Sequence, residues 1–261
     1  TRTTTTSART TTSTGATSST GTTSTGTTPR TTTSSAADAG VSSRPAAESG
    51  GVRRGPWLGL VGTDRFRVLW ETEEPTPTLL RWGDEPSCPS AVEGTEPVVR
   101  HAATVPGLRP GATYWYRVGS GEAVAVRTRP EAPTKVRFAV VGDTHSTDGV
   151  HARIVREILA AAPDFVVHTG DLSLHDGKRE GGGEADFFRV EAPLLRSLPF
   201  FPAAGNHDGD GARFVELFVE PREAGHLTYY AETWGPVALV VLDTGEPFDA
   251  RSDQGRWLAR T

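Results

Sequence analysis

Three apolar runs in the second half of the chain each end in a glycine followed by residues that can hold a metal. This repetition restricts the fold more than any other feature. Val136 to Val141 runs into Gly142-Asp143-Thr144-His145, Phe165 to His168 leads to Gly170-Asp171-Leu172-Ser173, and Phe200 to Ala204 leads into Gly205-Asn206-His207-Asp208. Between the first two runs, Val150 to Ala162 has helical periodicity, with Val150, Ile154, Ile158 and Ala161 on one face, joined by Val155 and Leu159. Between the second and third, Glu184 to Leu195 reads as another helix, carrying Phe187, Phe188, Val190, Leu194 and Leu195. The alternation predicts a sheet covered on both faces, with polar loops at the carboxyl ends of its strands, where open α/β sheets place their chemistry. A hairpin comes next, Leu227 to Thr233 and Val237 to Asp243 around Gly235-Pro236. A last helix begins near Ser252, includes Gln254 to Leu258, and would be cut off at Thr261.

The preceding segment has a different period. Trp57 to Val61, Phe66 to Glu71, Thr78 to Trp82, Val98 to Thr104 and Thr113 to Val118 are apolar or β-branched and separated by turn residues. Tyr114, Tyr116 and Val118 alternate with Trp115, and Val124 and Val126 continue the period of two. We expect a β-sandwich over 56–130, with a tight turn at Pro110-Gly111 and Leu108 plugging one end. It contains no cluster of titratable groups, so it is expected to pack or space, with shaping of a substrate entrance as the alternative. Pro130 to Pro133 is a short linker, and the load of Trp57, Trp70, Trp82 and Trp115 predicts an interface with the α/β region.

Residues 1–55 are unlike either region. Thr1 to Thr33 holds 19 threonines without apolar periodicity. Such a segment has too little apolar surface to offset its ordering entropy and is expected to be disordered, as in a linker of a secreted or cell-surface protein. The chain has no methionine and begins at Thr1, so we expect it to be part of a longer translation product, with no signal peptide visible.

Composition excludes several functions. The 27 Lys plus Arg against 32 Asp plus Glu give a net charge of -5 without a basic stripe, which argues against nucleic-acid binding. No apolar run is long enough to span a bilayer. The single Cys88 removes disulfide frameworks and Cys-rich metal sites. Any metal must sit on His, Asp, Asn or Glu. Asp143, His145, Asp171 and Asn206 provide such donors on loops of one sheet edge. Two neighbouring cations need a shared anionic ligand, and Asp171 is well placed because a carboxylate offers two oxygens.

Taken in order, the motifs G-D-x-H, G-D and G-N-H-[DE] resemble those of the calcineurin-like metallophosphoesterase superfamily. The stretch from Val105 to Val118 resembles the fibronectin type III pattern, in which a tyrosine after the turn ties the connecting loop. A module of that kind before such motifs is similar to the purple acid phosphatase arrangement. So are Tyr229-Tyr230 through Leu242-Asp243-Thr244, followed by Gln254 and Trp257-Leu258, and the similarity covers roughly 57–261.

The resemblance implies an N-terminal β-sandwich followed by an incomplete α/β metallophosphoesterase domain over 135–261, with layered sheets and flanking helices. It implies two divalent metal ions, Fe, Mn or Zn. Asp143 and His145 would hold the first, Asn206 the second, and Asp171 would bridge both. His207 would contact the phosphate and assist the leaving oxygen, with Asp208 or Asp210 orienting its imidazole. The implied reaction is phosphate-ester hydrolysis by in-line attack of a metal-bridging hydroxide. Small-molecule phosphomonoesters are favoured, and a phosphodiesterase or nucleotidase is the alternative on the same scaffold. A truncated or inactive secreted binding protein is the alternative of another class. Neither nucleic acid nor membrane is an expected partner. Two departures stand out. Leu174 replaces the tyrosine that gives the family its colour, and no G-H-x-H motif is present, so the remaining ligands are expected beyond Thr261. Of the other histidines, His168 reads as structural, His151 as a solvated helix residue, and His101 and His226 as bystanders. Asp148, His175 and Asp176 lie near the site in sequence.

Overall fold

The computed structural model describes residues 51–133, 135–144, 149–172, 183–208, 212–218 and 228–261. The Thr-rich segment up to residue 50 lies outside these, as do His145, Asp148, Leu174, His175, Asp176, Asp210 and His226.

The first five strands form one antiparallel sheet organised around a long central strand. β2 (Phe66–Gly83) pairs along its first part with β1 (Val52–Val61) and along most of its length with β3 (Ser90–Val105). Its far end pairs with β4 (Thr113–Val118), which carries β5 (Val124–Arg127). The stretch between Glu71 and Thr78, expected as a turn, is instead a register irregularity inside β2, at Pro75 and Pro77. Proline cannot donate to a ladder, so it is accommodated where pairing is already broken, and the sheet curls there.

Alternation decides what each face covers. Phe66, Val68, Trp70 and Leu80 of β2 join Tyr114, Tyr116, Val118 and Val126 in one buried core, as period two requires. Trp57 of β1 and Leu69 of β2 point the other way, into a second core formed with the helices. At one end of the sheet Leu108 is buried, and the Arg109 amide donates to the Tyr114 hydroxyl at 3.0 Å, tying the loop as anticipated.

The α/β part has the expected order. β6 (Phe138–Val141), β7 (Phe165–His168) and β8 (Phe200–Pro202) form a parallel sheet in that order. The helices are α1 (Gly149–Ala160), α2 (Gly183–Leu195) and α3 (Ala212–Phe218). β9 (Tyr230–Trp234) and β10 (Val237–Val241) make the hairpin. α4 (Asp253–Leu258) is capped by Ser252, whose hydroxyl accepts the Gly255 amide at 3.0 Å. This helix has Ala259 as its C-cap, and the Thr261 amide still donates to the Trp257 carbonyl at 3.1 Å.

Two burial patterns differ from the sequence reading. β6 is not covered on both faces, because Phe138 and Val140 are 45% and 59% exposed. On α1 the buried residues are His151, Val155 and Ile158, while Val150 and Ile154 are exposed. The helix therefore presents the 151-155-158 face inward, and His151, expected in solvent, is buried. Its Nε2 lies 2.7 Å from Oε1 of Glu191 on α2, a carboxylate that is itself buried. This buried hydrogen-bonded pair overrides the apolar count at that turn.

The expected interface between the strand-rich region and the rest is extensive. The Tyr116 hydroxyl donates to the Arg196 carbonyl at 2.6 Å, and the Trp57 indole donates to the Leu217 carbonyl at 3.0 Å. Trp57 also meets Phe188 edge-on at 5.2 Å, and Arg129 donates to the Thr233 carbonyl. Among the described residues no helix is long and apolar enough to cross a membrane.

Candidate active site

The three parallel strands deliver their carboxyl ends to one cleft of about 520 Å³. Asp143 enters it after β6, Asp171 after β7, and Asn206 after β8. Asp243 and Glu246, beyond β10, and Thr228 line it as well. Sequence reading placed Asp143, Asp171 and Asn206 together and the structure does the same. It missed the acidic residues after β10, although Asp243 ends a strand just as Asp143 does.

The backbone shows why these loops carry aspartate. Asp143 and Asp171 have φ of 56° and 60°, the left-handed region that aspartate tolerates better than most side chains. The loops are then stitched together by main-chain bonds. The Asp143 amide donates to the Gly170 carbonyl at 3.1 Å, and the Thr144 amide donates to the Asp171 carbonyl at 3.0 Å. Gly170 has φ 109°, and a Cβ on Gly205 would lie 2.2 Å from the Asp171 nitrogen. Only glycine lets the third loop approach the second so closely.

Asp208 locks the arrangement. Its buried Oδ2 accepts the amides of Asp171, at 3.1 Å, and Gly205, at 2.8 Å. Oδ1 of Asp171 in turn accepts the His207 amide at 3.0 Å. One carboxylate thus orients the loop that carries another.

His168 is the structural histidine the sequence indicated. It is buried, its Nδ1 accepts the Gly170 amide at 3.2 Å, and its Nε2 is 2.9 Å from the Thr144 hydroxyl. An accepting Nδ1 places the proton of the neutral ring on Nε2, which donates to Thr144. Burial, with His151 nearby as a second cause, pushes its pKa down to about 3. His101 is also structural, stacked on Trp70 at 4.8 Å and held by the hydroxyls of Thr72 and Thr78.

The donors that the structure gathers are oxygens. Two carboxylates and an amide in an acidic cleft suit divalent cations. Among the described residues no group of three or more His, Cys, Asp and Glu side chains has metal-binding geometry. His145 lies outside those residues, and Asn206 contributes an amide. The cleft's acidic residues also give a local negative potential that concentrates cations.

Comparison with known proteins bears on this site. Residues 136–255 match the calcineurin-like phosphoesterase family. The chain is 26% identical over 227 residues to purple acid phosphatase 21 of Arabidopsis thaliana, an alignment covering 77% of this chain and 51% of that protein. It is 30% identical over 202 residues to acid phosphatase type 7 of Homo sapiens, covering 68% and 45%. The chain therefore spans about half the length of these curated relatives. The fold is similar to that of a purple acid phosphatase from yellow lupin (Lupinus luteus) seeds, with a TM-score of 0.60, 18% identity, and coverage of 78% of this chain and 47% of that one. The three loops that meet in the cleft thus lie within a region homologous to the calcineurin-like and purple acid phosphatase superfamily.

Proposed function

We propose that the protein is a metal-dependent phosphoric ester hydrolase acting on small phosphomonoesters. The observation that carries this reading is the meeting of Asp143, Asp171 and Asn206 in one cleft inside the family-matched region. Asp143, His145, Asp171 and Asn206 would hold two divalent ions, with Asp171 shared. Such ions supply charge neutralisation at the phosphoryl group and an activated water. The chain's own residues do the rest. Asp208 holds the Asp171 and Gly205 amides and so fixes the spacing of the second and third loops. His207, on the third loop, takes the role of donor to the leaving oxygen. The strand-rich region over 56–130 reads as a fibronectin-like module. The Thr-rich residues before it support a secreted or surface location.

The assignment is tested by calorimetric titration with Mn²⁺ or Zn²⁺ and by phosphate release from an aryl phosphate. For the full-length protein we expect binding near two equivalents and metal-dependent release. Asp171→Asn should lose more of both than Asn206→Ala, because it removes a charge shared by two ions. Metal binding that is indifferent to Asp171→Asn would overturn the site, and release that needs no divalent ion would overturn the reaction class.

A further inference from the structure

The cleft residues sit between strands and helices in the chain. The near ends of their loops leave the parallel sheet. Their far ends lead into helices: the loop with Asp171 leads to α2, which starts at Gly183, and the loop with Asn206, His207 and Asp208 leads to α3, which starts at Ala212. The first turns of both helices carry charged residues that meet at the face of the N-terminal sheet.

Arg213 of α3 grips Glu184 of α2 in a fork, Nε to Oε2 at 2.6 Å and Nη2 to Oε1 at 2.7 Å. Nη2 of Arg213 also lies 3.6 Å from Oε1 of Glu71, in β2. Arg54, in β1, completes the ring by pairing with both Glu71 and Glu184. Arg100 of β3 pairs at 2.8 Å with Glu216 of α3, which also pairs with Arg213. Glu71 is only 4% exposed at its side chain, and Arg54 and Glu184 only 14%. Arg213 is 27% exposed, so the four-membered ring of Glu71, Arg54, Glu184 and Arg213 is partly withdrawn from water, whereas the Arg100–Glu216 pair is solvated. A two-pronged ion pair fixes direction as well as distance. Arg54 further lies over the Phe188 ring at 5.4 Å, tying the charge ring to the aromatic core of α2.

We infer that the Glu71–Arg54–Glu184–Arg213 ring is a positioning device for the candidate active site, through which the N-terminal sheet sets the far ends of the loops bearing Asp171 and Asn206-His207-Asp208. The sheet is then a working part of the site and not a spacer. The ring would act on geometry, through the separation of α2 and α3, and none of its members need touch substrate. The inference rests on the proposed location of the site in the cleft, but its mechanical content is independent of the reaction.

Amide hydrogen exchange of the metal-free full chain provides the test. The reporters are the Asp171 and Gly205 amides, both held by Asp208 Oδ2, with the Val68 amide of β2 as the monitor of global opening. The variants are Glu184→Gln and Arg213→Gln, with Arg213→Lys as a milder change that keeps the charge and loses the fork. We expect exchange at Asp171 and Gly205 to rise by about tenfold or more while Val68 is unchanged, with Arg213→Lys intermediate. No acceleration at Asp171 and Gly205, or acceleration equal to that at Val68, would overturn the positioning role. In parallel, aryl phosphate hydrolysis is measured on the unsubstituted protein. Absence of hydrolysis together with selective acceleration would sink the proposed reaction and leave the coupling standing.

Discussion

His168 shows how much one buried side chain can commit a protein to a pH range. Its neutral form is required, because Nδ1 already accepts the Gly170 amide and a second proton would face that N–H. With a folded pKa near 3 against an ordinary value near 6.5, the unfolded chain takes up a proton that the folded chain refuses. Its stability contribution is therefore fully present above about pH 6.5 and is lost progressively as the pH falls toward 3. Between pH 7 and 5 the expected loss is about 2 kcal/mol from this group. Urea denaturation at the two pH values, on the unsubstituted chain and on His168→Asn, measures it, and the variant should show a shallower decline. The histidine's structural role was legible from its place inside a strand. That of His151 was not, because its partner Glu191 lies forty residues away on another helix and no local pattern encodes such a pair.

Elements were readable where a period or a punctuating residue was strong. The three glycine-terminated strands, the hairpin at Gly235 and the order of helices all come from local sequence, and so do Asp143, Asp171 and Asn206 as strand-end residues. The facing of α1 did not, since apolar residues surround much of that helix and the buried His151–Glu191 contact decides which side turns in. Substitution separates the two readings. Val155→Ala should cost roughly 1.5–3 kcal/mol, as deletion of two buried methyl groups does, whereas Ile154→Ala should stay within about 0.5 kcal/mol. Denaturant midpoints of both variants would reveal the opposite ranking if the face were misassigned. The strand-end loops are less forgiving. At Gly205 an added methyl would sit 2.3 Å from Oδ1 of Asp171. Gly205→Ala should lower stability by about 3 kcal/mol or more and weaken Mn²⁺ binding, the first read by urea denaturation and the second by titration. A variant with unchanged stability would mean that the loops are farther apart than described.

At the scale of the whole molecule, the strand-rich and α/β regions share cores, hydrogen bonds and a charge ring, so the short connection at Pro130 to Pro133 joins parts that are already bound to each other. The sequence suggested an interface through its tryptophans. It could not show that Glu71 would be nearly buried among arginines, since that depends on how β1 and β2 meet two distant helices. Nor did it show that the first apolar strand would lie at the sheet's margin. That last feature bears on how the chain meets its own copies. Among the described residues β6 is an edge of its sheet, and Phe138 and Val140 stand exposed along it. An apolar margin of this kind makes a chain sticky toward its own copies. Val140→Lys should raise the concentration at which turbidity begins, because a charged margin repels its neighbours, while the melting temperature changes little. Light scattering during concentration would register the gain, and an unchanged turbidity threshold would show that the stickiness resides elsewhere.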